Sequence, residues 1–266
     1  MNTAPSLPFT VDRTVIIRAT PAIVFSFFTD TPRWAKWWGD GSSIDARPGG
    51  RVVIRYPTGD EAFGEVLEIE APERIVFSYG YARGTPIAPG ASRVTIRLEP
   101  VSMGTRLTLA HAVDSATVRD EHVQGWRFQL GLFANAVSDV VHRDVATAVD
   151  EWFRVWAEPD AAIREASLRS LLAPAFVFGD QFSMIAAIDE LLPHIAASQR
   201  FMPGIRLQRI GQVRRCRDTV LVDWTAANAE GQPRGSGTNI FELDEHNRIT
   251  AVTGFWNAQS TTGANS

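Results

Sequence analysis

The sequence predicts an α+β protein of two domains, over residues 1–143 and 144–266. Three observations lead to this prediction. The chain has 266 residues, which suits two domains of about 150 residues better than one. Turn residues recur at short intervals between residues 47 and 104, and the apolar residues between them alternate, as in antiparallel strands. Helical apolar patterns and a second set of alternating segments then follow.

The composition is that of an ordinary globular protein and excludes several function classes. Hydrophobic residues make up 45% and charged residues 21% of the chain, which excludes collagen-like, disordered and coiled-coil proteins. The net charge is −4 and basic runs are absent, so we expect no nucleic-acid partner. Nearly all the basic residues are arginines, scattered along the chain, and we attribute this to codon bias.

Sequence motifs for cofactors, metals and membranes are also absent. Cys216 is the only cysteine, so neither an intramolecular disulfide nor a thiolate zinc site can form. The glycine-rich nucleotide motifs, the zinc-protease motif and the serine-hydrolase motif do not occur, and we predict no cofactor and no metal. The N-terminal residues do not resemble a signal peptide and no apolar run is long enough to span a bilayer. A cytoplasmic location without a membrane partner is expected.

The first domain begins with a predicted strand, Val11 to Arg18, followed by two short helices. Thr20 before Pro21 is a typical helix start, because threonine caps the helix and proline suits its first turn. The first helix is expected to end near Pro32, since proline disfavours helical geometry in the residue before it. The second helix carries three tryptophans, Trp34, Trp37 and Trp38.

A meander and a long helix complete the first domain. Apolar residues alternate in four segments, and in the last of them His111 shares a face with Leu107 and Leu109. Apolar residues then recur at steps of three and four, which predicts one long amphipathic helix; they are Val123, Trp126, Leu130, Phe133, Val137 and Val140. Strand, two helices, meander and long helix form the helix-grip arrangement.

The residues of this first domain resemble the START-like superfamily, in the branch related to the ATPase activator of the ninety-kilodalton heat-shock chaperone. The resemblance covers about residues 10–143. It is carried by Val24-Phe25, Thr29-Asp30, Trp37-Trp38-Gly39, Arg47-Pro48-Gly49-Gly50, the segment Pro72 to Phe77, Gly104-Thr105-Arg106-Leu107 and Gly125-Trp126. It implies a deep pocket for small apolar molecules and no universal catalytic set.

The second domain is predicted to place three helices before a sheet. The long helix is expected to continue through residues 142–144 to Trp156, and a new helix to begin at Asp160 and stop at Pro174. A short apolar segment follows, Phe176 to Phe182. The next helix, Met184 to Gln199, contains Pro193, which should kink or split it. The predicted strands are Arg206 to Val213, Thr219 to Ala227, Gly237 to Leu243 and Ile249 to Trp256.

This order resembles the nuclear transport factor two-like superfamily, also called SnoaL-like, over about residues 145–258. The residues that carry it are Ala148 to Trp156, Leu172 to Asp180, Val220 to Trp224 and Gly237 to Leu243. The resemblance implies a cone-shaped α+β barrel with an apolar cavity, and a homodimer formed through the sheets. Enzymes, binding proteins and assembly modules all use this fold, so function does not follow from it.

Candidate site residues of the second domain converge on the expected cavity. Asp180 resembles the general base of cyclases and isomerases in this superfamily, or else it caps a turn. His194 would pair with it or orient a carbonyl, or is a partly exposed helix residue. Trp224 and Asn239 could hold a ring and its oxygen, or belong to the core. Phe178 would line the cavity, and Trp256 would be its lid or part of the core.

The first domain has its own candidates. His111 could project into an apolar pocket together with Tyr79 or Tyr81, or be a hydrogen-bonded core histidine. Trp126 lies on the helix expected to close the pocket. Trp34, Trp37 and Trp38 are candidates for binding flat apolar ligands at the pocket mouth, or they fill the core.

The function predicted from these features is the binding or sequestration of small hydrophobic, ring-containing molecules, polyketide- or steroid-like, in one or both pockets. An enzyme similar to polyketide cyclases or ketosteroid isomerases, with Asp180 as base, is the first alternative. A chaperone-interaction module is the second.

Overall fold

The computed structural model describes residues 6–257 and is an α+β structure. The chain divides into two compact units, one that ends at Val140 and one that begins at Val141. They are called the first and second unit below. None of the helices within residues 6–257 is long and apolar enough to cross a membrane.

The first unit contains a seven-stranded antiparallel sheet with strand order β1-β7-β6-β5-β4-β3-β2. Its strands are β1 Phe9–Ile17, β2 Ser43–Ile44, β3 Arg51–Arg55, β4 Glu61–Glu70, β5 Arg74–Tyr79, β6 Ser92–Val101 and β7 Gly104–Val113. Its helices are α1 Pro21–Ser26, α2 Thr31–Trp38 and α3 Ala116–Val141. This is the order of elements predicted from the sequence, with β2 and β4 added.

Helix α1 begins at Pro21, where the sequence predicts, but it ends at Ser26 and not near Pro32, and α2 begins at Thr31. The Thr20 hydroxyl accepts a hydrogen bond from Ile23 N, and Pro21 is the first helical residue. Asp30 caps α2 by accepting from Arg33 N at 2.9 Å. Side-chain acceptors at these positions satisfy backbone N–H groups that have no partner inside the helix.

Strand β4 has no counterpart among the alternating segments found in the sequence. Its pairing with β5 shifts register between Val66 and Glu68. Such a bulge places two residues opposite one and interrupts the alternation of apolar and polar side chains. The periodicity that reveals a strand is therefore lost in β4.

The second unit contains a mixed six-stranded sheet with strand order β10-β11-β12-β13-β8-β9. Its strands are β8 Leu172–Asp180, β9 Ser183–Ile185, β10 Arg206–Cys216, β11 Thr219–Ala227, β12 Pro233–Leu243 and β13 Ile249–Trp256. Its helices are α4 Val145–Val155, α5 Ala161–Leu171 and α6 Ile188–Phe201. Strand β13 pairs with β8 in parallel, and all other pairs are antiparallel.

Two helix predictions in this region are wrong. The long helix does not continue to Trp156, because α3 ends at Val141 and α4 begins at Val145. The residues between them form a turn. His142 in this turn is buried and donates from Nδ1 to Asn247 Oδ1 at 2.9 Å. The turn therefore keeps a buried residue in line with the apolar spacing, although the helix is interrupted. The helix predicted from Met184 begins at Ile188, since Ser183–Ile185 pairs with β8 as strand β9.

Pro193 does not split α6, contrary to one outcome predicted for it. The helix runs from Ile188 to Phe201 with Pro193 inside it. Proline has no backbone N–H, so inside a helix the hydrogen bond to the carbonyl four residues earlier is lost. The flanking Leu191 and Ile195 are fully buried and hold the helix against the core of the second unit.

Candidate functional site

The second unit encloses a cavity of about 400 Å³. Cavities that bind small molecules have volumes of about 300 to 1,000 Å³, so this one has room for a guest. Helices α4 and α6 and the inner face of the sheet provide its lining. The structure brings six predicted residues together on this lining, namely Phe178, Asp180, His194, Trp224, Asn239 and Trp256.

Aromatic rings form most of the cavity wall. On the helix side the rings of Trp152 and Trp156 lie 5.8 Å from each other, and each lies 5.8 Å from Phe178. On the sheet side Trp224 and Trp256 meet edge to face at 4.9 Å and 87°. Edge-to-face packing is favoured between aromatic rings, and a wall built in this way suits a flat apolar guest.

The Asp180 carboxylate is held by two donors at the end of β8. Its Oδ1 accepts from Phe182 N at 2.8 Å, and its Oδ2 accepts from Trp256 Nε1 at 3.0 Å. Hydrogen bonds to a carboxylate are stronger than those between neutral groups, so the orientation of Asp180 is fixed. Asp180 therefore caps the turn into β9 and also lines the cavity, and its role as a general base stays a prediction.

The Asn239 amide has an equally defined orientation. Its Oδ1 accepts from Trp224 Nε1 at 2.9 Å. An indole N–H can only donate, so the amide oxygen must face Trp224 and the NH2 group must point elsewhere. Because Asn239 lines the cavity, this NH2 group is available to an oxygen atom of a guest.

Gly254 allows the carboxylate and the amide to approach each other. It lies on β13 between β8 and β12, directly opposite Asn239. A Cβ atom added at Gly254 would lie 3.2 Å from Asp180 Cβ and 3.3 Å from Asn239 Oδ1. The Cβ atom of Asp180 and the amide oxygen of Asn239 thus flank a residue that has no side chain.

His194 lies on the helix side of the cavity. Its Nε2 is 3.3 Å from the Ser183 hydroxyl, and its ring packs against Trp156 and Phe178. The partners of Asp180 are Phe182 and Trp256. The predicted pairing of Asp180 with His194 is therefore not formed.

Sequence reasoning missed several lining residues on the helices. Trp152 and Trp156 are four residues apart, which puts both on one face of the helical segment that predicts α4. Ser198 and Phe201 on α6 have no comparable signal, because an isolated serine and an exposed phenylalanine do not indicate a cavity.

The three tryptophans of α2 lie in the core of the first unit and not at a pocket mouth. The exposed fractions of Trp34, Trp37 and Trp38 are 0%, 2% and 4%. Trp34 Nε1 donates to Val53 O at 3.1 Å and Trp37 Nε1 to Phe27 O at 3.4 Å. The three side chains are buried because they form the apolar face of this short helix. Of the three, Trp38 is the one whose indole nitrogen has no hydrogen-bond partner among residues 6–257.

The other candidates of the first unit are brought together around His111. Its Nδ1 accepts from Trp126 Nε1 at 2.9 Å, so the proton must be on Nε2, which donates to the Ser92 hydroxyl at 2.8 Å. Ser92 in turn donates to Tyr79 O at 2.8 Å. Burial, reinforced by the nearby His122, lowers the pKa of His111 to about 3. The structure thus matches the core interpretation of His111.

Of the two tyrosines predicted beside His111, Tyr79 contacts its ring and Tyr81 contacts Tyr79. The Tyr79 ring packs edge to face against both His111 and Tyr81, at 5.4 and 5.6 Å. The Tyr79 and Tyr56 hydroxyls are 2.7 Å apart. Burial raises the pKa of both phenols, so both stay protonated.

Comparison with known proteins gives a family match for part of the chain. Residues 18–138 match the family described as Activator of Hsp90 ATPase homolog 1-like protein. This confirms the resemblance found in the sequence of the first domain. No curated protein matches the chain.

Solved structures similar to the chain each cover about half of it. A SnoaL-like family protein from Agrobacterium tumefaciens has 20% identity and a TM-score of 0.41, covering 42% of this chain and 97% of that chain. The Aha1 protein from Colwellia psychrerythraea, solved as a dimer, has 16% identity and a TM-score of 0.43, and the match covers 48% of this chain and 96% of that chain. CalU16 from Micromonospora echinospora has 29% identity and a TM-score of 0.39, and the match covers 50% of this chain and 78% of that chain. The comparisons thus include both families predicted from the sequence.

Proposed function

We propose that the second unit binds one small, mainly apolar, ring-containing molecule and releases it chemically unchanged. The observation that carries this proposal is the cavity of about 400 Å³, whose walls are largely aromatic and whose polar groups are few. On this proposal residues 144–266 form the cone-shaped barrel of a SnoaL-like domain, with the cavity at its centre. Residues 1–143 form a START-like helix-grip domain.

The polar groups of the cavity indicate what the guest carries. The Asn239 NH2 group offers hydrogen-bond donors, so it would bind a carbonyl or ether oxygen of the guest. One carboxylate, Asp180, and one guanidinium, Arg234, line the cavity, so their charges offset each other and favour neither an anionic nor a cationic guest. A neutral ring compound with at least one acceptor oxygen, as in polyketides and steroids, fits both features.

The proposal can be tested with the apolar probe N-phenyl-1-naphthylamine, whose fluorescence rises in apolar sites. Ala226 lines the cavity and is buried, whereas its neighbour Ala227 does not line it. Ala226→Phe fills part of the cavity, and we expect it to weaken probe binding about tenfold or more, while Ala227→Phe leaves binding within twofold. If the two variants bind the probe as tightly as the unaltered protein, the cavity is not the binding site.

A second candidate function is acid-base catalysis in the same cavity. It is favoured by the carboxylate and the amide that flank Gly254. With a ketone bound, Asp180 would accept a proton from the carbon beside the carbonyl. The electrons of that C–H bond would then form the enolate, whose oxygen the Asn239 NH2 group would stabilise. Return of the proton to another carbon would give an isomer.

The substitution Asp180→Asn separates the two candidates. The asparagine keeps the shape and the acceptor oxygen but cannot accept the proton. Turnover of cyclohex-3-en-1-one to its conjugated isomer, followed by ultraviolet absorbance, should fall about 10²- to 10⁴-fold, whereas probe binding should persist. Asp189→Asn, at an exposed carboxylate paired with Arg169, is the matched control. Isomerisation that continues at an equal rate in Asp180→Asn would exclude this residue as the base.

A further inference from the structure

The cavity of the second unit opens to solvent at one end, called here the mouth. Four residues that line the cavity are exposed, namely Phe182, Phe201, Met202 and Arg234, and they form the mouth, since all other lining residues are buried or half-buried. The exposed fractions of Phe182, Phe201 and Met202 are 72%, 86% and 44%. Large apolar side chains exposed next to one another commonly mark a contact surface.

Contacts between separate elements hold the mouth together. A Cβ atom added at Gly204, just after α6, would lie 2.8 Å from Ala229 Cβ in the loop between β11 and β12. A Cβ atom added at Gly235, near the start of β12, would lie 2.9 Å from the Trp256 ring. The Phe182 ring lies 5.4 Å from the same indole. The mouth is therefore continuous from the end of α6 to the turn between β8 and β9.

Three exposed arginines of the second unit have no ion pair and no side-chain hydrogen bond among residues 141–257, and all three lie at this end of the unit. Arg200 precedes Phe201 in the last turn of α6. Arg206 begins β10, opposite Ala227 at the end of β11, and Arg234 belongs to the mouth. The other arginines of this unit have partners. Unpaired cations are thus concentrated beside the exposed apolar side chains.

The charge around the mouth is opposite in sign to that of the whole chain. Residues 180–184, 198–207 and 226–236 contain these three arginines and two acids, Asp180 and Glu230. The net charge of the chain is −4. Exposed apolar side chains with unpaired cations beside them suit a surface that is apolar beneath an anionic layer.

We propose that the mouth binds the surface of a membrane that contains anionic phospholipids. Phe182, Phe201 and Met202 insert at the boundary between headgroups and acyl chains, and the arginines bind phosphate groups, with which guanidinium forms paired hydrogen bonds. The proposal rests on the function proposed above, because an apolar ring compound dissolves in a bilayer and would enter the cavity directly from it. A fluid bilayer leaves this path open, whereas an acidic protein bound to the mouth would close it.

This inference departs from the prediction of no membrane partner. That prediction follows from the lack of an apolar run long enough to span a bilayer. Binding at a membrane surface needs no spanning segment, only exposed apolar side chains and charges that complement the headgroups.

Sedimentation with lipid vesicles tests the proposal on the full chain without any guest. The vesicles consist of phosphatidylcholine alone or of phosphatidylcholine with phosphatidylserine. We expect binding to be about tenfold or more tighter when phosphatidylserine is present, because each arginine near an anionic surface contributes about fivefold. Added salt should weaken this binding, since it screens the charges. No binding, or equal binding to the two kinds of vesicle, would overturn the proposal.

Two substitutions at exposed positions assign the binding to the mouth. Phe201→Ser should weaken binding to the phosphatidylserine vesicles about tenfold, and Arg234→Gln about fivefold. Phe255→Ser is the matched apolar control, because Phe255 is 54% exposed and does not line the cavity. Arg93→Gln, at an exposed arginine of the first unit, is the cationic control. Both controls should bind within about twofold of the unaltered protein.

A second copy of the chain is the alternative occupant of the mouth. If analytical ultracentrifugation shows a dimer that Phe201→Ser abolishes, while its vesicle binding is unchanged, the mouth is an interface between copies and the proposal is wrong. The salt dependence of the unaltered protein remains a test even if Phe201→Ser fails to fold. Because no probe is used here, failure of vesicle binding leaves the probe experiment on Ala226 unaffected, and the reverse also holds.

Discussion

At the scale of single residues, three indole N–H groups each fix the orientation of one polar side chain. Trp126 donates to His111, Trp224 to Asn239 and Trp256 to Asp180. Because an indole can only donate, each bond determines which atom of the partner faces the tryptophan. The partner's remaining polar atoms are thereby directed to a second neighbour or to the cavity.

His111 should make stability depend on pH. Its pKa is lowered from 6.5 to about 3 in the folded state. Between these values the unfolded chain binds more protons than the folded chain. The free energy of unfolding should therefore decrease as the pH falls from about 6.5 towards 3, by up to about 1.4 kcal/mol per pH unit.

Urea denaturation at several pH values between 7 and 4 measures this dependence. His111→Gln can keep hydrogen bonds to Trp126 and Ser92, but it cannot be protonated, so its stability should decrease less on acidification. Part of the slope should remain, since burial also lowers the pKa of His142. His246→Gln, at an exposed position, should behave like the unaltered protein. Parallel curves for His111→Gln and the unaltered protein would contradict the assignment.

At the scale of elements, the helix starts of the second unit differ in their caps. Asp160 begins α5 and accepts from Ala162 N at 2.8 Å and Ile163 N at 3.1 Å. Asp144 begins α4 without a side-chain cap hydrogen bond. Asp160→Ala should therefore reduce the free energy of unfolding by about 0.5 to 2 kcal/mol, and Asp144→Ala by less than about 0.5 kcal/mol. Circular dichroism in urea compares the two, and equal losses would show that the Asp160 cap does not stabilise α5.

The strands differ in how clearly the sequence reveals them. The predicted bounds of β11 and β13, Thr219 to Ala227 and Ile249 to Trp256, agree with the structure. Strand β11 keeps a regular alternation, with Val220, Val222 and Trp224 buried on one face. Strand β4 was missed because its bulge disrupts that alternation.

At the scale of the whole molecule, each unit has its own buried aromatic interior but a different balance of polar groups. The second unit leaves a cavity beside a carboxylate and an amide. In the first unit the three tryptophans of α2 pack into the core, where Trp38 Nε1 has no hydrogen-bond partner among residues 6–257.

The sequence by itself determined the α+β class, the order of nearly all elements and the resemblance to the family whose model matches residues 18–138. These depend on local periodicity, turn residues and helix caps, which are properties of neighbouring residues along the chain. It also predicted six residues that line the cavity: alternation in the strands pointed to Trp224 and Asn239, and the resemblance to the SnoaL-like superfamily pointed to Asp180.

Only the tertiary structure decided which polar atoms meet. The bond from Trp256 to Asp180, the approach of Asp180 and Asn239 at Gly254, and the ring contacts around His122 join residues far apart in sequence. Periodicity gives the direction of a side chain but not the distance to a partner on another element. Whether a tryptophan fills a core or lines a cavity depends on how the elements pack, which is set by the summed contacts of the whole unit.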